Sequence, residues 1–391
     1  MALQPAAGAR DLNPREVERQ RRLCEQLAEV YRRWGYQEVA PPTIERIDTL
    51  EAGGAIAERE VVRLVADAPL GLRPELTASI ARAASTRMAN RPRPLRLWAS
   101  GPTFRSFLGD GGDLRITENL QSGVELLGES SDAAEMELMH LLLAAVASLG
   151  LKPSHQPTLL VGHHGLLSAL LEVVPEPQRH QAREHLTAFD ALALEALAMP
   201  EAARLRLRAL LQLRGDPGQV LYQLEQWLGR VPLLLRLEAL LASVEPLARR
   251  VGVRLQLDPT FQPHFDLYDG LVLKLVCQGK EAPVAIASGG RYDRLMRRFC
   301  DEPSLAAGTG FGFSIGALQE LLAGESGGEG EPGPWLVAAG SPQQLPAALE
   351  RMATLHAEGE PAELCSQVCP THEEAQRQGS SRGCRGVIWL G

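Results

Sequence analysis

The chain has no Cys-x-x-Cys pair, no uncharged apolar stretch of membrane length, no surplus of basic residues and no internal repeat. Each absence excludes a class of protein. The six cysteines, Cys24, Cys277, Cys300, Cys365, Cys369 and Cys384, are scattered, so they read as buried thiols of a reducing compartment. Cys365, Cys369 and Cys384 lie near one another, but matched His/Cys spacing is missing and no metal site is expected. The closest approach to an apolar run, Val231–Val244, contains Arg236 and Glu238, which argues against a membrane span. A count of 40 basic against 48 acidic residues gives a net charge of −8, so bulk attraction to nucleic acid is not expected. The opening MALQPAAGARDLNP lacks the apolar core of a signal peptide, and the chain is expected in the cytoplasm.

What is present is ordinary in bulk and specific in detail. Hydrophobic content of 45% with 23% charged residues fits a globular chain, and 391 residues call for two or three domains. Asn13-Pro14-Arg15-Glu16 opens a helix, with Asn as cap and Pro at the first helical position. Leu23, Leu27, Val30, Tyr31 and Trp34 follow at helical spacing, and Gly35 closes the element. A second helix is predicted over 132–149, with a buried stripe of Met136, Met139, Leu142, Leu143, Val146 and Leu149.

Between these helices lie strands. Leu95, Leu97 and Ala99 alternate before Gly101-Pro102, and Gly109-Asp110-Gly111-Gly112 turns the chain into LRITENLQSGVELL, residues 114–127. Period-two alternation there puts Arg115, Thr117, Asn119, Gln121 and Glu125 on one face and Ile116, Leu120, Val124 and Leu126 on the other. A strand face made of hydrogen-bonding groups is a candidate floor for a small polar ligand. The region 165–252 is Leu- and Ala-rich at helical spacing and broken by Pro175, Pro177, Pro200, Pro217 and Pro232, the pattern of an inserted helical subdomain. Strands return at 253–257, 271–277 and 284–287; a Gly/Glu-rich linker covers 325–334, and 335–391 reads as a short βαβαβ unit. The expected fold class is α+β, an antiparallel sheet flanked by helices with a small C-terminal α/β domain. The core is divided into 1–164 and 253–324 around the insertion.

Six segments in order resemble the class II aminoacyl-tRNA synthetase catalytic domain, and specifically histidyl-tRNA synthetase. They are Gly8-Ala9-Arg10-Asp11-Leu12-Asn13-Pro14, Leu72-Arg73-Pro74-Glu75-Leu76-Thr77, Gly101-Pro102-Thr103-Phe104-Arg105, Gln121-Ser122-Gly123-Val124-Glu125, Ser288-Gly289-Gly290-Arg291-Tyr292-Asp293 and Gly310-Phe311-Gly312-Phe313-Ser314-Ile315-Gly316. The resemblance implies that Glu75, Gln121, Glu125 and Tyr292 surround a histidine, and that Arg105, Asp266 and Tyr268 join the same binding set. Carboxylates suit an α-ammonium, and an imidazole needs donors and acceptors in a small polar pocket.

The departures from that family bear on function. Formation of an aminoacyl-adenylate concentrates negative charge at phosphorus, which such enzymes stabilise with arginines. Where the last motif of the family ends in an arginine, this chain has Gln319 after neutral Leu318. Where an arginine opens the family's RGLDYYTG segment, this chain has Pro263, with Leu267 in place of the first tyrosine. Each lost charge contact lowers rate by roughly 10²–10³, so little synthetase activity is expected. Fold kept and catalysis lost is the pattern of the regulatory subunits of ATP phosphoribosyltransferase. That resemblance implies no catalytic residue, no cofactor and no metal. It further implies a short-form catalytic subunit as partner, L-histidine as effector, and a homodimer within a hetero-oligomer.

Other features read as structural. His163-His164 point to different faces and have no obvious third ligand. Arg82, Arg87, Arg91, Arg93 and Arg96 read as a solvated helix and loop face.

Overall fold

The computed structural model describes residues 5–52, 56–109, 111–263, 267–300, 302–323 and 333–391. Two units form, Met1–Leu322 and Ala323–Gly391. Along the first run α1 (Pro14–Arg33), β1 (Gln37–Glu38), β2 (Ile44–Arg46), α2 (Ile47–Ala52), β3 (Val62–Arg63), β4 (Leu70–Leu72), α3 (Thr77–Thr86), β5 (Leu95–Leu108), β6 (Leu114–Leu127) and α4 (Asp132–Ser148). Then come β7 (Thr158–His163), α5 (His164–Leu170), α6 (Glu176–Thr187), α7 (Ala191–Ala196), α8 (Glu201–Gln212), α9 (Pro217–Leu228) and α10 (Pro232–Arg250). The unit closes with β8 (Arg254–Leu257), β9 (Leu271–Gln278), β10 (Pro283–Arg291), α11 (Asp293–Met296), β11 (Gly308–Ser314) and α12 (Ile315–Ala323).

The main sheet runs β1-β5-β6-β11-β10-β9-β7-β8, antiparallel except for its two edge pairs, β1 with β5 and β7 with β8. The fold is α+β, as expected. Helix α1 carries the anticipated capping box: Asn13 Oδ1 accepts from the Glu16 amide and Glu16 returns the bond to the Asn13 amide. The predicted hairpin is a continuous ladder from Leu95 opposite Leu127 to Leu108 opposite Leu114.

One face of the sheet is covered by α1 and α4. Tyr31 from α1 packs on Trp98 of β5 at 5.9 Å and on Phe311 of β11 at 6.2 Å, and Phe311 meets Phe313 edge-on at 5.7 Å. Helix α4 is buried more widely than a stripe. Leu138, Leu141 and Ala145 are enclosed as well as Met139, Leu142, Leu143 and Val146, while Met136 is half-buried. The reason is a second cover: α10 lies against α4 on the side that amphipathic spacing would leave to solvent. The helices α5 to α10 share one hydrophobic cluster with the sheet, joining Leu167, Leu186, Leu207, Leu224 and Leu241 to Leu159 and Leu273.

A three-stranded sheet, β2-β4-β3, and the strand β7 were not legible in the pattern, being short or lacking alternation. The basic run also departs from its expected reading. Arg82 pairs with the buried Glu45 at 2.7 Å, and Arg96 grips Glu137 with two bonds of 2.8 and 2.7 Å. These arginines tie α3 to β2 and β5 to α4; solvation alone does not describe them.

The second unit carries β12 (Trp335–Ala339), α13 (Leu345–Ala357), β13 (Ala362–Leu364), α14 (His372–Ser381) and β14 (Gly386–Leu390), the expected βαβαβ, as a parallel sheet ordered β13-β12-β14. Leu336 and Ala338 face Ala375 of α14, whereas Val337 and Ala339 face Ala348 and Leu355 of α13. Helices on both faces explain why WLVAA is apolar at every position.

Candidate functional site

The uncovered face of the sheet is made by missing side chains. Strand β11 reads Gly308-Thr309-Gly310-Phe311-Gly312-Phe313, so period two sends both phenylalanines into the core and all three glycines to the other face. A Cβ at Gly308 would strike the Tyr292 ring, one at Gly310 the Glu125 carboxylate, and one at Gly312 the Gln121 amide. Three residues of the anticipated histidine set thus lie across a strand stripped to its backbone. Gly290, with φ of +156°, does the same for the Tyr268 ring.

Above this floor is a cleft of about 290 Å³, lined by Glu75, Arg105 and Gln121 together with Thr103, Asn119, Lys274, Ser288 and Ser314. Gln121 Oε1 accepts from the Leu76 amide at 3.2 Å, and Arg105 Nε donates to the Pro74 carbonyl at 3.3 Å. Both bonds fasten the cleft wall to the LRPE turn. Glu75 accepts from the amides of Thr77 and, at 2.9 Å, Ala78, so its carboxylate satisfies the open amides of the first turn of α3, whose N-cap position is Leu76.

Beneath the cleft lies a closed polar layer. Tyr292 donates its hydroxyl to Glu125, which is only 4% exposed, and the Thr77 side chain interacts with both Glu125 and Glu75. Burial pushes the Glu125 carboxyl up to about 8, with the nearby Glu75 adding to the rise. Glu75 is raised for the same primary reason, desolvation, and the buried phenols of Tyr268 and Tyr292 are raised too. The strand face expected to be a solvated floor is therefore split. Arg115 and Asn119 are exposed at the outer end, while Glu125 is enclosed at the inner end because α3 and the Tyr292 segment close over it.

Tyr292 is held by its neighbours in sequence. Arg291 binds Asp293 at 2.9 Å and the Ser130 carbonyl at 3.0 Å, Asp293 accepts from the Gly308 amide at 3.1 Å, and Asp269 accepts from the amides of Asp293 and Arg294. Arg73 is likewise structural. It is 4% exposed and donates to the carbonyls of Pro41 at 2.6 Å and Pro102 at 2.8 Å, filling the space left by Gly101.

Of the seven anticipated site residues, Glu75, Arg105 and Gln121 line the cleft, and Glu125, Tyr268 and Tyr292 form the layer beneath. Asp266 lies outside the described residues, as do His264 and Phe265. Leu267 is buried beside Tyr268 in the apolar cluster that includes Tyr292. Sequence reasoning missed Lys274, Thr103, Ser288 and Ser314. Lys274 was signalled: it is the one charge in the apolar strand LVLKLVCQ. His163 caps α5 by accepting from the Gly165 amide at 3.0 Å, the structural use expected of it.

Burial of Glu125 sets a pH dependence. Its folded value, about 8, lies above the ordinary 4.5, so the folded protein holds a proton that the unfolded chain releases. That contribution to stability is present at low pH and is lost as pH rises towards 8. His163 and His164, pushed down to about 4 by burial, act oppositely below their ordinary 6.5, so the window from 6.5 to 8 is free of them and reports the raised carboxyls, of which the Glu125→Gln comparison picks out Glu125. Denaturant midpoints without added ligand should fall across that window, by at most about 1.4 kcal/mol per pH unit. In Glu125→Gln the slope should flatten; an unchanged slope would assign the proton elsewhere.

Comparison with known proteins places the fold in a family. The family model of histidyl-tRNA synthetase matches residues 8–318. The ATP phosphoribosyltransferase regulatory subunit of Synechococcus sp. (strain RCC307) is 52% identical over 395 residues, and that of Prochlorococcus marinus (strain MIT 9313) is 51% identical over 390, each match covering all of both chains. Among solved structures, an ATP phosphoribosyltransferase regulatory subunit/histidyl-tRNA synthetase from Bacillus halodurans C superposes with a TM-score of 0.83 at 26% identity, covering 100% of this chain and 98% of that one. Histidyl-tRNA synthetase from Nostoc sp. PCC 7120 shares the fold, with a TM-score of 0.80 at 17% identity over 100% of this chain and 92% of its own. The fold is that of the class II aminoacyl-tRNA synthetase type, in its histidyl form. Within that class the chain belongs to the family of ATP phosphoribosyltransferase regulatory subunits.

Proposed function

We propose that this chain is a non-catalytic subunit that binds L-histidine in the cleft and conveys its occupancy to a short-form ATP phosphoribosyltransferase catalytic subunit, at the first step of histidine biosynthesis. It acts in the cytoplasm as a homodimer within a hetero-oligomer, without metal, cofactor or nucleic acid. Feedback then follows from linkage: histidine shifts the assembly towards whichever state binds it more tightly, by the difference in affinity.

The observation that carries the reading is the fate of position 319. Gln319 is 3% exposed and donates to the Glu16 carbonyl at 3.2 Å, so it serves the packing of α12 against α1 and supplies no charge to the cleft. Pro263 withdraws a second cation. Arg105 persists, but one arginine is a poor match for a phosphoryl centre. Among the described residues, no helix is long and apolar enough to cross a membrane.

A reconstitution tests the proposal. Added to the short catalytic subunit, the chain should raise ATP phosphoribosyl transfer, and histidine should inhibit only when the chain is present. Alone, it should give no histidine-dependent ATP–pyrophosphate exchange. Exchange above background would restore the synthetase reading, and transferase activity indifferent to the chain would end the regulatory one.

A further inference from the structure

Strand register places five residues in one row across the sheet: Lys274 of β9, Ser288 of β10, Gly312 of β11, Gly123 of β6 and Ala99 of β5. Residues directly paired across strands share a face. This row is therefore a trench, floored by nothing larger than a serine until it reaches Lys274. The next row on one side is Val272, Gly290, Gly310 and Glu125; on the other side Ser314 pairs with Gln121 and Gln121 with Gly101. Gln121 thus walls the trench on one side, Glu125 lies enclosed over Gly310 on the other, and Lys274 stands at the end. Two strand spacings, about 10 Å, separate the Lys274 backbone from that of Gly312, room for a small ligand together with the lysine stem.

The charges along this trench are ordered. Carboxylates, Glu75 and Glu125, gather at the α3 side. Lys274 lines the cleft from the opposite strand, its ammonium 5.5 Å from the centre of the Phe261 ring, and among the described residues no carboxylate pairs with it. Arg105 is the other cation on the cleft wall, but it pairs in register with Thr117, four residues along β5 from Gly101, and its Nε is engaged by the Pro74 carbonyl. Its backbone sits beyond Gln121, and its charge lies beside Glu75 on the α3 side of the cleft, away from the Lys274 end. An α-amino acid is a zwitterion whose two charges match this polarity in one orientation only, with the ammonium towards the carboxylates and the carboxylate towards the lysine.

We infer that Lys274 is the specificity-determining cation of the cleft, holding the α-carboxylate of the bound amino acid beside the Ser288 hydroxyl. The inference deepens the histidine reading and rests on it. It also explains why a lysine interrupts a strand otherwise apolar from Leu271 to Cys277, in the middle of a sheet where an unpaired charge is unfavourable. The site selects for a carboxylate, so amines and amino alcohols with the same imidazole are rejected.

Calorimetry of the full chain with histidine, histidinol and histamine, on wild type, Lys274→Met and Lys274→Arg, tests the assignment. Wild type should bind histidine roughly 10- to 100-fold more tightly than histidinol or histamine, the worth of one charge-assisted hydrogen bond. Lys274→Met should lose that preference by weakening histidine alone, and Lys274→Arg should retain part of it. Thermal midpoints of the variants report whether each is folded. If Lys274→Met keeps the wild-type preference, the carboxylate is held elsewhere and the assignment fails while the histidine reading stands. Equal weakening of all three ligands would mark Lys274 as a packing residue and also overturn it. A wild-type protein that binds none of the three would bring down both.

Discussion

Glu125→Gln should weaken histidine binding by roughly 10- to 100-fold and leave the protein folded and able to assemble with its catalytic partner. The substitution keeps the shape of the side chain and an acceptor oxygen for the Tyr292 hydroxyl, but removes the group that can become an anion opposite an ammonium. Glu125→Ala should desensitise the complex to histidine as well, at the further cost of a cavity beside Gly310 and an unpartnered Tyr292 hydroxyl. A pH signature accompanies the binding defect. Because the Glu125 carboxyl sits at about 8 in the protein alone, taking up an ammonium at neutral pH requires it to give up a proton. Histidine should therefore bind wild type more tightly as pH rises from 6.5 to 8, and calorimetry in buffers of different ionisation enthalpy should register the released proton. Glu125→Gln should abolish both the rise and the release. Inhibition of the complex that is unchanged in Glu125→Gln would place the effector at another site.

The second large effect is expected from one methyl group. In Gly310→Ala the new Cβ falls on the Glu125 carboxylate and also on the Val124 carbonyl, which belongs to the neighbouring strand and has nowhere to go. The β6–β11 ladder must shift, and destabilisation of about 1–3 kcal/mol or more is expected together with loss of binding. Gly312→Ala makes an instructive control. There the collision is with the end of the Gln121 side chain, which can swing away at the cost of its bond to the Leu76 amide, so stability should fall by only about 1 kcal/mol while binding falls. Thermal unfolding and histidine titration of the two variants separate these outcomes. If both were equally stable and bound histidine normally, the stripped strand would not be the floor of the site.

Much of this site was legible along the chain. The alternation of Gln121 and Glu125 on one strand face follows from the period of two that any strand imposes, whereas the setting of Phe311 and Phe313 against glycines became readable only once 308–314 was seen to be a strand. The helix start at Asn13 was equally plain, since capping is a contact between residues three apart. What remained hidden has a common cause. Gln121 lies far along the chain from Lys274 and Ser288, and only strand register brings them to one trench. Arg82 and Arg96 looked solvated because their partners, Glu45 and Glu137, lie 37 and 41 residues away. The wide burial of α4 escaped its own spacing because α10, more than eighty residues later, supplies the second cover.

The sequence by itself determined the class of sheet, the order of its motifs and the absence of two arginines from the positions where adenylate chemistry needs them. These are properties of residue identity and local period, which a linear chain carries in full. The tertiary structure decided which polar groups are dry. Glu125 and Asn119 occupy equivalent places in one alternating pattern, yet α3 and the Tyr292 segment close over the first and leave the second open. Desolvation depends on what covers a group from elsewhere in the chain, and so the proton that Glu125 keeps near neutral pH is a property of the fold alone.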